Sequence, residues 1–475
     1  MRSRVVAVGT VTRAMALEKE ISYTINLSQD LLYIIFNSYI VKHMDYRTQY
    51  CDLIDCNDVR TRFERGTVQS VHKKNVFMKR FAHYVNDTAT IVGLVDRHSI
   101  EEDIGDVNKL DPRLRRIVRC QVYRDRQCPQ IEIKFEHIYL NQHIMDRLDS
   151  LLAVKQMTLL NLLNRTNDSV IKNSQLGSDE ILANIRLEYE YETEFADVAV
   201  IDRLCVLVQE MDKLSHYQNI HPLLAYTTIQ NNIIYRKFID ERLLFDSNGA
   251  SNKIVDLNIY KWALKLDGIR GRGFFTQQLV VIFMDDMQLF AGHLSSPFAV
   301  NNVVAFQCEL LPNNRLYITD LLHVFKYVYN NKTQYECSLD AYDLDPYSAV
   351  ACLNHMRHNR IELSFNTDNN VTMTICFQQF NEPPLNVAGY HSVPTDGFVV
   401  LDHEGHYVKY KHIKTIEVEY DSVNNRFVTL NGPVENKKII MQSKLELLHG
   451  QIYEANMDAD NLFIMKIRKD RLVPN

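Results

Sequence analysis

The sequence predicts a multidomain α+β protein in which antiparallel strands dominate: a closed barrel first, then antiparallel sheets with helices, then a small terminal barrel. Three observations carry this. Stretches of the amino-terminal half alternate between charged and apolar residues, a charged glycine-rich turn interrupts apolar strands at Lys265–Gly273, and the tail from Glu417 onward alternates short strands with turns.

The 475 residues suit about three domains. Hydrophobic residues at 46% and aromatics at 10% exclude a disordered chain. The net charge of −6 hides 53 basic residues against 59 acidic ones, so a polyanion site must be a local concentration of charge. Nine scattered cysteines without a Cys-x-x-Cys pair argue against a disulfide scaffold and a zinc site, and are expected to be reduced thiols in an intracellular protein. No apolar stretch is long enough to span a bilayer as a helix. The run Val5–Val8 is too short for a signal peptide, and residues up to Arg13 read as a loose extension before a functional start near Met15.

In chain order, Leu17–Tyr23 reads as a strand with Glu18, Glu20 and Ser22 on one face. Ser28 and Asp30 open a short helix over Leu31–Phe36. Val59–Gly66 puts Arg60 and Arg62 on one face; Arg119–Arg124 and Ile131–Glu136, with Lys134, alternate similarly. Ile185–Glu192 is the clearest strand, with Arg186, Glu188, Glu190 and Glu192 opposite Ile185, Leu187, Tyr189 and Tyr191. Carboxylates spaced about 7 Å apart along a strand repel unless cations or water face them. A sheet with one wet face would suffice. A barrel with its charged faces inward would instead gather the carboxylates into an oxygen-rich site for a divalent metal, beside basic residues that hold phosphates. Such a site suits hydrolysis of a polyphosphate.

Residues 144–163 have helical spacing and 164–179 are polar, together a helical excursion outside the barrel. Helices are also expected over 198–213 and 224–245, with 246–252 as a linker. Lys265 then ends an alternating strand where the glycines begin a turn, with Phe274–Phe275 and Leu279–Met284 as the next strands. A lysine held partly out of water there is a competent amine nucleophile for phosphorus; a hairpin with merely solvated charges is the plainer alternative. Glu309 and Asp320 interrupt apolar runs, where a carboxylate needs a partner. Asp396-Gly397 repeats the acid–glycine pattern, and Lys409 and Lys411 share a strand face.

In order and spacing these motifs resemble the covalent nucleotidyltransferases, the superfamily of mRNA capping enzymes and polynucleotide ligases. Lys265-Leu266-Asp267-Gly268-Ile269-Arg270 is similar to its nucleophile motif, and Glu309 falls on the next acidic motif, although Cys308 stands where a glycine is usual. The strand Arg315–Asp320 resembles the following motif, with Tyr317 as the aromatic near the base. Asp396-Gly397 matches the metal-placing motif, and Lys409 and Lys411 match the strand at the α-phosphate. Arg468-Lys469-Asp470-Arg471 resembles the capping-type terminal motif, with Arg471 replacing the usual lysine. The front half resembles the tunnel-barrel RNA triphosphatases, whose two Glu-x-Glu motifs look like Glu18/Glu20 and Glu188/Glu190; Arg60, Arg62, Lys134 and Arg186 fit their basic strands.

The combination resembles the baculovirus capping enzymes. The resemblance implies a triphosphatase barrel over 15–200, a helical linker region over 201–252, a nucleotidyltransferase domain of ATP-grasp-like ligase/capping type over 253–416 and an OB-fold lid over 417–475. It also implies Mg2+ or Mn2+ at the four glutamates, Lys265 as the site of a lysyl-GMP intermediate, GTP and 5′-triphosphate RNA as substrates, viral RNA polymerase subunits as partners, no membrane, and the host nucleus as location. An ATP-dependent ligase and a non-catalytic polymerase scaffold are the rival readings.

Overall fold

The computed structural model describes residues 15–25, 27, 29–85, 88–104, 114–141, 182–214, 226–244, 258–294, 296–300, 303–329, 337–364, 372–385, 393–441, 445–469 and 471–474. The extension before Met15, the excursion at 144–179, the linker at 246–252 and Asp470 lie outside them. The chain divides into two compact units: Met1–Val85, Thr90–Leu223 and Lys326–Tyr342 make the first, and Asn86–Ala89, Leu224–Phe325 and Asp343–Asn475 the second. The described structure is mostly β, with few helices.

In the first unit the alternating stretches form β1 (Met15–Thr24), β2 (Asp45–Asp55), β3 (Val59–Glu64), β4 (Thr67–Val85), β5 (Thr90–Asp103), β6 (Leu114–Arg124), β7 (Ile131–Asn141) and β8 (Leu182–Tyr191). All neighbours are antiparallel, in the order β1-β5-β4-β3-β2-β6-β7-β8, and β8 pairs back onto β1 to close an eight-stranded barrel. Closure removes both sheet edges.

The face of the barrel wall that each side chain takes follows from the period of two. Ile185, Leu187 and Tyr189 on β8 and Ile131, Ile133 and Phe135 on β7 are buried in an apolar cluster with Val200, Leu204, Leu207, Val208 and Met211 of the helix Val198–Lys213. The charged residues between them therefore face the barrel's interior. That helix starts where Asp197 accepts a hydrogen bond from the Ala199 amide, an N-cap on an otherwise apolar-periodic segment. It belongs to the barrel's core, where the sequence reading has a linker beginning at 201. The short helix Gln29–Ile35 continues into a π-helical turn, Phe36–Ile40, whose Ile35 and Ile40 join the same cluster.

The described strands of the second unit fall into three paired groups. In the first, Leu279–Met284 pairs with Leu289–His293 and with Ile269–Phe275, which pairs in turn with Val303–Leu311; Arg315–Tyr329 follows Val303–Leu311 and bonds in parallel to Thr372–Phe377. The second sheet runs Ile259–Leu266, Thr395–Asp402, Tyr407–Lys411, Phe238–Leu243, the last pair parallel. The helix expected over 224–245 is thus only Tyr226–Asn232. Past Ile233 the chain extends, because residues of Phe238–Leu243 gain ladder bonds from Tyr407–Lys411 that a helix would forgo. The tail forms a six-stranded sheet around Val418, Phe427, Tyr453, Ala455, Leu462 and Ile464. None of the eight cysteines with described side chains forms a disulfide. No described helix is long and apolar enough to cross a membrane.

Candidate active sites

The barrel interior is a lattice of ion pairs. Glu20 lies opposite Glu190, and Ser22 opposite Glu188, on the paired strands β1 and β8, so both acidic stretches share one wall. Glu20 is buried beside Arg97, 3.0 Å from its Nη1. Glu18 accepts from Lys73 at 2.6 Å, and Lys73 also lies 3.4 Å from Glu101, which accepts from Arg60 at 3.0 Å. Glu188 accepts from Lys134 and lies 2.5 Å from Nε of Arg186. Arg62 grips Asp52 through two bonds of 2.9 Å, its guanidinium 3.6 Å from the Tyr50 ring centroid. Glu190 is exposed.

Burial would raise the Glu188 carboxyl, but Arg186 and Lys134 outweigh it and hold it at about 2. Burial, then the neighbouring Glu188 charge, pushes Glu20 above its ordinary value. The two carboxyls thus lie near enough to repel, and Arg186 and Lys73 act on both. Oε1 of Glu20 and Oε1 of Glu188 are buried, and each faces an arginine, Arg97 and Arg186 respectively. A donor set made only of carboxylate oxygens fits a hard divalent cation. The four glutamates do not already form a tight cage: among the described residues the three ligand atoms found within 4.8 Å of one another are those of Asp402, Glu404 and His406, in the second unit. Oδ1 of Asp402 there accepts from the Glu404 and His406 amides, an ordinary turn.

In the second unit a cavity of about 1240 Å³ gathers Lys265, Asp267, Arg270, Glu309, Asp396, Lys409, Lys411 and Arg468 in its lining. Lys265 sits in the last turn of pleat of Ile259–Leu266, and its Nζ donates to Oδ2 of Asp396 at 2.7 Å. Asp267-Gly268 alone makes the turn; the following glycines lie within the strand Ile269–Phe275. At Gly268 a Cβ would stand 2.3 Å from the Leu310 carbonyl oxygen, so only glycine lets the turn approach Val303–Leu311. The Gly268 amide donates to Glu309 at 3.0 Å. Burial raises the Glu309 carboxyl to about 7 despite that bond and nearby Lys265.

Lys409 and Lys411 stand on one face of Tyr407–Lys411. Burial, and then the repulsion of Lys265, Lys411 and Arg270, depress the Lys409 amine, although Glu241 pulls the other way. Lys411 lies 3.3 Å from Glu241. On the tail sheet, Lys466 pairs with Asp267 and lies 3.4 Å from Glu454, while Arg468 lies 3.1 Å from Glu417 and 3.5 Å from Glu454. Asp320 meets the partner its burial requires in Arg236, whose Nε donates at 2.8 Å.

Tyr317 is the described site residue that this cavity leaves out. It pairs with Glu309 in register but does not line the space; Thr319, the extra residue where the ladder shifts beside Gln307, does. Tyr235, Phe238, Phe380 and Tyr407 are the lining aromatics. Sequence reasoning missed Lys73, Arg97 and Glu101 in the barrel and Tyr235, Glu241 and Lys466 here. The register shift within β4 hid Lys73 and Glu101, and no periodic signal marked Tyr235.

A family model described as Late expression factor 4 (LEF-4) matches residues 18–475. The chain is 44% identical over 466 residues to the mRNA capping enzyme LEF-4 of Autographa californica nuclear polyhedrosis virus, covering 97% of this chain and 98% of that protein. It is 38% identical over 463 residues to the protein of the same name from Orgyia pseudotsugata multicapsid polyhedrosis virus, again covering 97% and 98%. Among solved structures it is similar to the Mimivirus capping enzyme triphosphatase, with a TM-score of 0.23 and 14% identity over 41% of this chain and 88% of that one. At that score the likeness bears on neither fold nor site.

Proposed function

Because the chain belongs to the late expression factor 4 family, we propose that it caps mRNA in two steps: removal of the γ-phosphate from 5′-triphosphate RNA in the barrel, then transfer of GMP from GTP through Lys265. The observation that carries the reading is the gathering, in one cavity, of seven other motif residues around the Lys265 amine.

In the barrel, Glu18, Glu20, Glu188 and Glu190 would hold Mg2+ or Mn2+, which when bound supplies a Lewis acid and a more acidic water. The chain's own part is electrostatic. Lys134 and Arg186, now facing Glu188, and Arg60 and Arg62 neutralise the phosphate oxygens as the terminal P–O bond breaks.

In the second unit, the Lys265 nitrogen attacks the α-phosphorus, the bond to the β-phosphate oxygen breaks and pyrophosphate leaves. An oxygen of the RNA 5′-diphosphate then attacks the same phosphorus, the P–N bond breaks and Lys265 is regenerated. Asp396 holds the amine in place, Lys409 and Lys411 balance charge developing on the α-phosphate, and Asp267 and Arg270 orient the nucleotide. We take 253–416 as a ligase/capping-type nucleotidyltransferase domain and 417–475 as an OB-fold lid whose Arg468 and Asp470 orient pyrophosphate. Viral RNA polymerase subunits as partners and the host nucleus as location belong to the same proposal. Its test is a pair of assays on one preparation: phosphate release from γ-labelled RNA, and labelling of the protein by α-labelled GTP but not ATP. Labelling by ATP alone would turn the reading towards a ligase; neither activity would turn it towards a scaffold.

A further inference from the structure

Deepening the guanylyltransferase reading, on which it rests, we propose that Tyr235 and Asp285 form a clamp that fixes Arg270 and turns its two terminal amines to phosphate oxygens. Nε of Arg270 donates to Oδ2 of Asp285 at 2.7 Å, and the Tyr235 hydroxyl donates to Oδ1 of the same carboxylate at 3.0 Å. The guanidinium also lies 4.5 Å from the Tyr235 ring centroid. A backbone bond completes the arrangement, from the Asp285 amide to the Arg270 carbonyl at 2.8 Å. Both oxygens of Asp285 are thus committed to the clamp.

Arg272 packs on the same ring at 5.5 Å and is spent on the Ile233 carbonyl, to which its Nη1 donates at 3.1 Å. Arg270 differs. Among the described residues neither of its Nη atoms donates a hydrogen bond, its side chain is 43% exposed, and it lines the cavity with Lys265. Asp285 does not line the cavity and holds the group from behind. A guanidinium tied through Nε and stacked on a ring keeps its Nη1–Nη2 edge, the edge that takes two oxygens of one phosphate. That chemistry fits GTP and the 5′-diphosphate of the acceptor RNA alike. Tyr235 and Asp285 are positioning residues in this scheme: they touch Arg270 and act through it.

The test is a double-mutant cycle on the full chain with Tyr235→Leu, Asp285→Asn, Arg270→Ala and their pairs. It is read as kcat/KM for lysyl-GMP formation from labelled GTP, and separately as transfer of GMP to 5′-diphosphate RNA. Each single variant should lower one of these about tenfold through KM. Adding Tyr235→Leu or Asp285→Asn to Arg270→Ala should cost nothing more, and Asp285→Glu should recover part of the loss. Losses that multiply in both steps, or single variants that leave both steps unchanged, overturn the clamp. If Tyr235→Leu does not fold by thermal unfolding, Tyr235→Phe, which keeps the ring and removes the hydroxyl, carries the same cycle. Absence of an adduct from the parent protein would sink the guanylyltransferase reading itself, whereas a normal parent adduct with multiplying losses would sink only the clamp.

Discussion

Lys265 and Asp396 meet across two antiparallel strands at a register shift: Leu264 pairs with Phe398 but Leu266 with Thr395, and at the slip between them the Lys265 amine reaches the carboxylate at 2.7 Å. The next residue secures that slip. Gly397 has φ of +120°, and a Cβ there would stand 1.9 Å from the Tyr410 carbonyl oxygen, on the strand that carries Lys409 and Lys411.

Gly397→Ala should therefore separate the amine, its carboxylate and the two lysines at once. We expect a loss of about 2 kcal/mol or more in stability and a fall in lysyl-GMP formation of more than about a hundredfold. Denaturant unfolding and labelling rates check both; an unchanged labelling rate would contradict the assignment of this strand pair.

Glu309 gives a pH dependence of known sign. Its carboxyl keeps a proton up to about 7 in the folded protein against an ordinary 4.5, so the folded state binds more protons between those values. Stability from this group is full below about pH 4.5 and is lost as pH rises through about 7, on the order of 3 kcal/mol. Glu309→Gln still accepts from the Gly268 amide but cannot ionise. It should be more stable than the parent at pH 8 and equal to it near pH 4.5, measured by denaturant unfolding across that range; a constant difference would refute the buried-carboxyl explanation.

The barrel and the second cavity use separate residues, so their activities should separate by mutation. Glu188→Gln removes the carboxylate that faces Lys134 and Arg186, and phosphate release from triphosphate RNA should fall by about a hundredfold or more. Guanylate labelling of the same variant should persist. Parallel loss of both activities in a folded variant would contradict two independent sites.

Lys466 tests the tail sheet. Its pair with Asp267 is formed by side chains 40% and 36% exposed, and such a pair contributes at most about 1 kcal/mol to stability. Lys466→Ala should thus leave thermal unfolding nearly unchanged while slowing lysyl-GMP formation about tenfold, because Asp267 loses its contact with the tail. A large drop in melting temperature with unaltered labelling would make the residue structural.

Much of the barrel was legible because its strands keep a strict period of two. In β8, Ile185, Leu187 and Tyr189 mark the apolar face and leave Arg186 and Glu188 inward. The Lys265 turn was legible through its motif. What could not be read was register. The shift between Asn75 and Phe77 hides the pairing of Lys73 with Glu101, and the shift beside Gln307 gives the cavity Thr319 in place of Tyr317. Ile233–Phe238 carries no periodic signal, since it is shaped by the sheet it joins, and with it Tyr235 went unnoticed.

The most direct measurement is intact mass of the purified protein after incubation with GTP and Mg2+ or Mn2+, with peptide mapping of the modified residue. One GMP per chain, attached at Lys265 and absent from Lys265→Ala, is the expected result. A folded parent protein that never gains GMP, or gains it equally with alanine at 265, would contradict the central claim.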